Sequence, residues 1–348
     1  MELVRERDVV RGGSEARERF YDSRGYGHVD GGGLELAPVE AAHLLYRGDV
    51  EHVRDATTGD ALDFRTLVSS AAVSEIDVLV YKDLRDRGFY LSPAREGWVD
   101  DPAGADFVVY PRGQGPWDDD VAYRIRAISE RTAVSAATLG DSVLAVVDEE
   151  SAITYLETGH PEIDGSTTVD LSTGVAADLL GDRVLVWDPP EALYHEGFYG
   201  QPLDDETGEP LQLSLIEAAA LARQGVLDVE GGTDAIIECG REVEGERFDR
   251  RLAVYRALRE RGVVPKTGYK FGADFRTYAD VETVDSLGHS ELLVRVLPAD
   301  HAFTPRDLAL DVRLAHGVRK RMVFALVAEA DADGDPRIEW LEVGRLTP

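Results

Sequence analysis

Hydrophobic positions along this chain recur at two spacings, arranged in blocks. In Leu215-Ile-Glu-Ala-Ala-Ala-Leu-Ala-Arg, Leu215, Ala218, Ala219 and Ala222 share one face at three- and four-residue steps, which predicts a helix. Ser214 stands at its N-cap with Glu217 three residues on, the pairing that satisfies two orphan backbone donors of a first turn. Phe248 to Arg261 is a second amphipathic stretch, and it stops at Gly262, as a C-terminal glycine would make it. Beyond that point the spacing changes. Leu292-Leu-Val-Arg-Val reads as a strand, Pro305 to His316 as a helix, and Met322 to Val327 as a buried strand. Ile338-Glu-Trp-Leu-Glu-Val is a further strand with alternating faces.

The pattern occurs twice. Leu34-Glu-Leu-Ala-Pro-Val-Glu-Ala-Ala-His-Leu-Leu-Tyr-Arg-Gly echoes Leu211-Gln-Leu-Ser-Leu-Ile-Glu-Ala-Ala-Ala-Leu-Ala-Arg-Gln-Gly, and Phe20-Tyr-Asp-Ser-Arg-Gly-Tyr-Gly echoes Leu193-Tyr-His-Glu-Gly-Phe-Tyr-Gly. Val80-Tyr-Lys-Asp-Leu-Arg-Asp-Arg-Gly matches Val254-Tyr-Arg-Ala-Leu-Arg-Glu-Arg-Gly, Gly104-Ala-Asp-Phe-Val-Val-Tyr matches Gly272-Ala-Asp-Phe-Arg-Thr-Tyr, and Ile153-Thr-Tyr-Leu-Glu matches Ile338-Glu-Trp-Leu-Glu. Collinear blocks of this kind mark a tandem duplication. Its seam lies near residues 158–166, where Thr-Gly-His-Pro-Glu-Ile-Asp-Gly-Ser is turn-rich. The expected fold class is mixed α/β (α+β), each repeat holding an N-terminal and a C-terminal α/β subdomain. The expected divisions are 1–88, 89–160, 161–262 and 263–348.

Composition narrows the class. With 348 residues and 43% hydrophobic content the chain can bury a sizeable core. No apolar run approaches the roughly 20 residues of a membrane span. Met1-Glu-Leu-Val-Arg-Glu-Arg has neither the basic start nor the apolar stretch of a secretory signal, and the lone Cys239 cannot form a disulfide within the chain, so a cytoplasmic protein is expected. The formal net charge is -30, and the lysines are only Lys82, Lys266, Lys270 and Lys320. An acidic, lysine-poor surface points to a halophilic source, with an ordinary acidic enzyme as the bland alternative. Such a charge argues at first sight against a nucleic-acid partner. In molar salt the counterion-release contribution is largely gone and the Debye length is roughly 3 Å. Recognition there rests on stacking and hydrogen bonds from a few placed arginines.

The second repeat carries catalytic residue types that the first lacks. Tyr278 ends the strand-like Asp-Phe-Arg-Thr-Tyr, His289 opens His-Ser-Glu-Leu-Leu-Val-Arg-Val, and Lys320 closes a helix in Val-Arg-Lys-Arg. The duplication is an internal control: Tyr110 stands opposite Tyr278, Asp118 opposite His289 and Gly140 opposite Lys320. Each residue also has a bland reading: a surface histidine, a cation at a helix C-terminus, a tyrosine packed at a sheet edge.

At these residues the chain resembles the archaeal tRNA-intron endonucleases. The matching strings are Gly268-Tyr-Lys-Phe-Gly-Ala-Asp-Phe-Arg-Thr-Tyr278, His289-Ser-Glu-Leu-Leu-Val and Arg313-Leu-Ala-His-Gly-Val-Arg-Lys320. The repeats extend the resemblance over nearly the whole chain, as in the fused two-repeat type. It implies restriction-endonuclease-like C-terminal subdomains, the first with a degraded site, and a homodimer of such chains. It implies a triad of Tyr278, His289 and Lys320 that cleaves precursor tRNA at both junctions of a bulge-helix-bulge element. The products would be 2′,3′-cyclic phosphate and 5′-hydroxyl ends, formed with no metal or other cofactor. Arg313 matches the first of two arginines that sandwich a bulge base from the opposite subunit, and Arg345 is the candidate for the second. Asp148-Glu-Glu-Ser151 is the candidate for an acidic loop that docks into a neighbour.

The chemistry fits these residue types. RNA supplies its 2′-hydroxyl as nucleophile. Histidine, with a reference pKa near 6.5, suits protonation of the leaving 5′-oxygen, and a compact lysine charge suits the anionic phosphorane. Tyrosine, near 10, is a poor base unless shifted, so the base role of Tyr278 rests on the resemblance. Two other classes stay open on the residues: a non-catalytic structural or RNA-binding subunit, and a metal-dependent DNA nuclease using Asp274 and Glu291. Asp331-Ala-Asp-Gly-Asp-Pro lacks calcium-loop spacing and reads as a solvated hairpin turn. Gly268 to Gly272 has the wrong spacing for a nucleotide fingerprint.

Overall fold

The computed structural model describes the chain except for Ala71, Ala103, Asp119, residues 205–208 and residues 331–335. The acidic run from Asp331 thus lies, apart from Pro336, outside the described residues.

Each N-terminal part is a small sheet with helices packed on it. In the first, the helix α1 (Pro38–Tyr46) is buried along most of its length and packs on α2 (Glu75–Asp86). In the second, α3 (Leu215–Arg223) packs on α4 (Glu246–Glu260). The cap predicted for α3 is present: Glu217 N–H donates to Ser214 Oγ (3.3 Å), and Ser214 N–H donates to Glu217 Oε2 (3.0 Å). Gly262 follows α4 at φ +72°, as the sequence required.

The C-terminal parts hold the centre of the molecule. From the first repeat come β1 (Leu91–Pro93), β2 (Phe107–Val109), β3 (Tyr123–Ser129), β4 (Val134–Ser135), β5 (Ser142–Val147) and β6 (Ile153–Gly159). From the second come β7 (Val264–Thr267), β8 (Phe275–Tyr278), β9 (Leu292–Pro298), β10 (Ala302–Phe303), β11 (Arg321–Ala330) and β12 (Pro336–Leu346), with the helix α5 (Pro305–Gly317) between β10 and β11. Ten of these strands form one sheet in the order β7-β8-β9-β11-β12-β6-β5-β3-β2-β1. The parallel strands β5 and β11 are covered on both faces, which explains their continuous apolar runs. Val143, Ala145 and Val147 enter the first repeat's core, and Val323, Ala325 and Val327 the second's. Leu144, Val146, Met322, Phe324 and Leu326 meet in a third core beneath α5.

The two halves are therefore not beads on a string. They join at β6 and β12, which run antiparallel with Thr158 opposite Val343, and again where Val134 of β4 pairs with Phe303 of β10. By the strand registers Val343 is the counterpart of Thr158, and Phe303 that of Val134, so a pseudo-twofold axis passes through both contacts. The third core draws side chains from both halves. Among the described residues no helix is long and apolar enough to cross a membrane.

The register corrects one equivalence. Phe107 pairs with Ile125 as Phe275 pairs with Val294, and Ala122 N–H reaches Val109 O as Glu291 N–H reaches Thr277 O. Asp120, not Asp118, is therefore opposite His289. Arg124 and Arg126 are two apart on one strand, so a two-residue slip keeps every side chain on its face and is invisible in the pattern. Gly140 does stand opposite Lys320, because Val143 pairs with Ile125 as Val323 pairs with Val294.

Candidate active site

Tyr278, His289 and Lys320 come together where β8 ends and where β9 and β11 begin. Glu291 N–H donates to Thr277 O (3.0 Å) and Arg321 N–H donates to Glu291 O (3.1 Å), which ties the three strand ends into one junction. Each of the three residues lies within two positions of it. His289 does not open β9; it stands three residues upstream of Leu292 in the connecting loop. The polar His-Ser-Glu stretch is outside the apolar run that makes the strand.

Lys320 is set by the end of α5. The helix stops at Gly317, Arg319 takes the left-handed region (φ +57°), Arg319 N–H donates to His316 O (3.0 Å) and Lys320 N–H donates to Ala315 O (2.9 Å). This is a Schellman ending with arginine at the position that usually holds glycine, so Lys320 follows the helix and leads directly into β11. Its Nζ donates to Ser290 Oγ (2.5 Å) and to Ser290 O. Burial and, after it, the nearby positive charge of Arg276 pull the Lys320 ammonium below its ordinary pKa.

Tyr278 is 8% exposed and packs with Phe198, Val264 and Val281. Phe198 meets its ring edge-on at 5.6 Å, and the Arg276 guanidinium lies 5.7 Å from the ring centroid. Behind Phe198 is a buried ion pair that crosses between subdomains. Lys266 Nζ of β7 donates to Glu217 Oε1 of α3 (2.8 Å) and to Gly200 O (2.9 Å), and it sits 4.8 Å from the Phe198 ring centroid. His289 is exposed, and among the described residues no hydrogen bond or ion pair holds its ring.

Arg313 is exposed on α5 and Arg345 is exposed near the end of β12, opposite Leu156 of β6. Among the described residues neither has a carboxylate within salt-bridge distance, although most arginines of the N-terminal parts do. Continuing the β11–β12 register two steps past Met322 and Val343 sets Arg345 across from Lys320. In the first copy the corresponding pair is Gly140 and His160, and a Cβ at Gly140 would stand 2.5 Å from His160 Nε2. The first copy has thus filled the lysine's place with an imidazole.

Asp274, one of two carboxylates weighed as metal ligands, is fully engaged. It accepts from Arg247 (2.6 Å) and Val296 N–H (2.8 Å) and forms an ion pair with Arg251 (3.0 Å). Its counterpart Asp106 likewise accepts from Ala127 N–H. Glu291 is exposed. Among the described residues no group of three or more His, Cys, Asp or Glu side chains is arranged to hold a metal ion. The sequence reading passed over Ser290, Arg276 and Lys266. The duplication carried a signal for the last two, since their counterparts are Val108 and Ser92.

Comparison with known proteins agrees with this layout. The tRNA intron endonuclease N-terminal domain matches residues 1–68 and again 175–238, and the tRNA intron endonuclease catalytic C-terminal domain matches residues 248–340. The chain is 66% identical over 348 residues to the tRNA-splicing endonuclease of Haloarcula marismortui, covering 100% of both proteins. It is 61% identical over 340 residues to that of Natronomonas pharaonis, covering 98% of each, and 54% identical over 345 residues to that of Haloferax volcanii, again covering 98% of each. The chain is an endonuclease and belongs to the tRNA intron endonuclease family.

Proposed function

We propose that this chain cleaves precursor tRNA at both exon–intron junctions of a bulge-helix-bulge element, leaving 2′,3′-cyclic phosphate and 5′-hydroxyl ends without a metal. The observation that carries the reading is the convergence of Tyr278, His289 and Lys320 at one sheet end, in the copy that matches the family's catalytic domain. The names of the near-full-length relatives support the substrate.

The geometry supports a division of labour. His289 has a free, solvent-facing imidazole that can protonate the departing 5′-oxygen. Lys320, braced by Ser290, holds a positive charge at the junction where the phosphorane forms. Tyr278 takes the 2′-hydroxyl proton, its ring fixed by Phe198 and within cation–π distance of Arg276. Arg313 and Arg345, free of carboxylates, offer guanidinium planes for a flipped base.

The functional unit in this reading is a homodimer, one competent site per chain, so that two sites meet two junctions. Leu310, Leu314 and Val318 stand exposed at four-residue steps along and just past α5, an apolar stripe suited to a partner. The Asp148–Ser151 hairpin is exposed and rigidified, with Asp148 Oδ1 accepting from Glu150 and Ala152 N–H groups, as a docking loop should be. The division at 1–88, 89–160, 161–262 and 263–348 is part of the same proposal.

The test is cleavage of a bulge-helix-bulge RNA in molar salt with EDTA, comparing wild type with His289→Ala and identifying the new ends by mass spectrometry. Two cuts with cyclic-phosphate ends, absent in the variant, are expected. Cleavage only with added metal, or unimpaired cleavage by His289→Ala, would overturn the reading.

A further inference from the structure

We infer that Arg276 is a fourth residue of the cleavage site, a ligand of the scissile phosphate acting beside Lys320. The inference rests on the triad reading above and goes beyond it. Arg276 lies on β8, two residues before Tyr278, paired across the sheet with Lys266 on one side and Leu293 on the other. Its guanidinium is 5.7 Å from the Tyr278 ring centroid. Its positive charge is near enough to add to burial in lowering the pKa of Lys320, the residue before β11.

This cation lacks an acceptor. Its Nε is buried with no hydrogen-bond partner, and among the described residues no carboxylate stands within salt-bridge distance of it. The buried carboxylate of Glu217, which lines a cleft with Arg276, is already engaged by Lys266, Gly200 N–H and Ser214. A half-buried guanidinium with no carboxylate in contact is unfavourable in the free protein. The arrangement is rational if the missing anion arrives with the substrate. Arg276 is only half-buried, so its guanidinium can meet an anion from solvent; the cleft of about 520 Å³ that it also lines, with Glu217, Glu244 and Lys266, has no triad residue in its lining.

The duplication supplies the second, independent observation. Val108 occupies this place in the first copy, 1% exposed, on a strand whose pairing is otherwise the same. The scaffold therefore accepts an apolar residue there. Arginine is absent from the copy that also lacks the histidine and the lysine. Asp106 and Tyr110, whose roles are structural, are retained opposite Asp274 and Tyr278. A planar fork that can grip two phosphate oxygens complements the point charge of lysine.

The experiment compares wild type, Arg276→Val, Arg276→Lys and His289→Ala on one bulge-helix-bulge RNA, with and without sulfur replacing a non-bridging oxygen of the scissile phosphate. Arg276→Val installs the residue the first copy tolerates, and Arg276→Lys keeps the charge if the valine variant does not fold. Charge grows on the phosphorane, so kcat is expected to fall roughly 100-fold in Arg276→Val with KM changed only a few-fold. Lysine should restore part of that loss. The sulfur effect at the gripped oxygen should shrink in the valine variant. Values of kcat within about threefold of wild type in both folded variants, or an unchanged sulfur effect, would overturn the assignment. Unimpaired cleavage by His289→Ala would instead remove the triad reading on which it rests.

Discussion

Lys266→Ser gives the second repeat the residue found at the same place in the first, and the first repeat shows what should follow. Glu40 and Glu217 are counterparts at the starts of α1 and α3. Both are fully buried, and each accepts from a glycine N–H, Gly27 or Gly200. Glu40 has no lysine, and burial pushes it up to about 7 despite its bonds to Ala37 and Gly27. Glu217 is equally desolvated, but Lys266 foremost holds it down at about 2. The ammonium gains less, because burial pulls Lys266 below its ordinary value in spite of the partner. The glutamates differ by 7 − 2, or about 5 in pKa, which sets a ceiling of roughly 7 kcal/mol. Removing one partner of a buried pair costs about 3–5 kcal/mol, and that is the loss expected at pH 8.

The pH dependence discriminates between mechanisms. In the variant Glu217 should resemble Glu40, with a folded pKa above the ordinary value of 4.5. It would then weaken the fold as pH rises from 4.5 toward about 7, and the penalty would shrink to about 1 kcal/mol at pH 5. In the wild type the shift has the opposite sign, so its contribution is intact from pH 5 to 8 and is lost only as pH falls from 4.5 through about 2. Glu40 and His43 titrate alike in both proteins and drop out of the difference. Chemical denaturation in molar salt at pH 5 and pH 8 measures it. An equal loss at both pH values, or less than about 1 kcal/mol at pH 8, would refute the argument.

Three further outcomes are expected. Asp274→Asn should destabilise the fold by about 3 kcal/mol in denaturation, because Arg247 and Arg251 lose their shared carboxylate, while cleavage per folded molecule persists in EDTA; a metal-ligand role predicts the reverse. Arg319→Gly should stabilise by about 1 kcal/mol in thermal melts, since the left-handed position at φ +57° disfavours a side chain. Gly140→Lys should cost about 2 kcal/mol or more, because its Cβ meets His160 at φ +134°, and RNA cleavage assays should find no second active site per chain.

The parts of this fold legible in the sequence are those with local causes. The cap at Ser214, the stop at Gly262 and the apolar run of β11 all read correctly, because each reports its own burial or its own backbone. The joining of β6 to β12 has no such signal: the strands lie far apart in sequence and each is only partly buried. Nothing in Ile153–Gly159 names its partner. The slip from Asp120 to Asp118 has the same origin, since register is set by the neighbouring strand. At the site, residue type singled out His289 and Lys320. Arg276 looked ordinary among many arginines until the structure showed it without an acceptor.

The two copies also sort their shared residues by cause. Where both keep a residue, the fold explains it: Asp106 and Asp274 brace the next strand, Glu40 and Glu217 close the first helical turn, and Tyr110 packs and donates to Ser92 Oγ (3.0 Å). A retained tyrosine therefore says little about catalysis at Tyr278, because its counterpart is accounted for by packing and one hydrogen bond. The changed positions say more. Asp120, Gly140, Val108 and Ser92 stand where the second copy has His289, Lys320, Arg276 and Lys266, and all four positions surround one sheet end or the ion pair behind it. The first copy keeps its strands because β6 covers an edge of β12 that would otherwise be open, and because it supplies part of the core beneath α5. Its scaffold is fixed by that shared core, which leaves the residues at its own sheet end free to diverge.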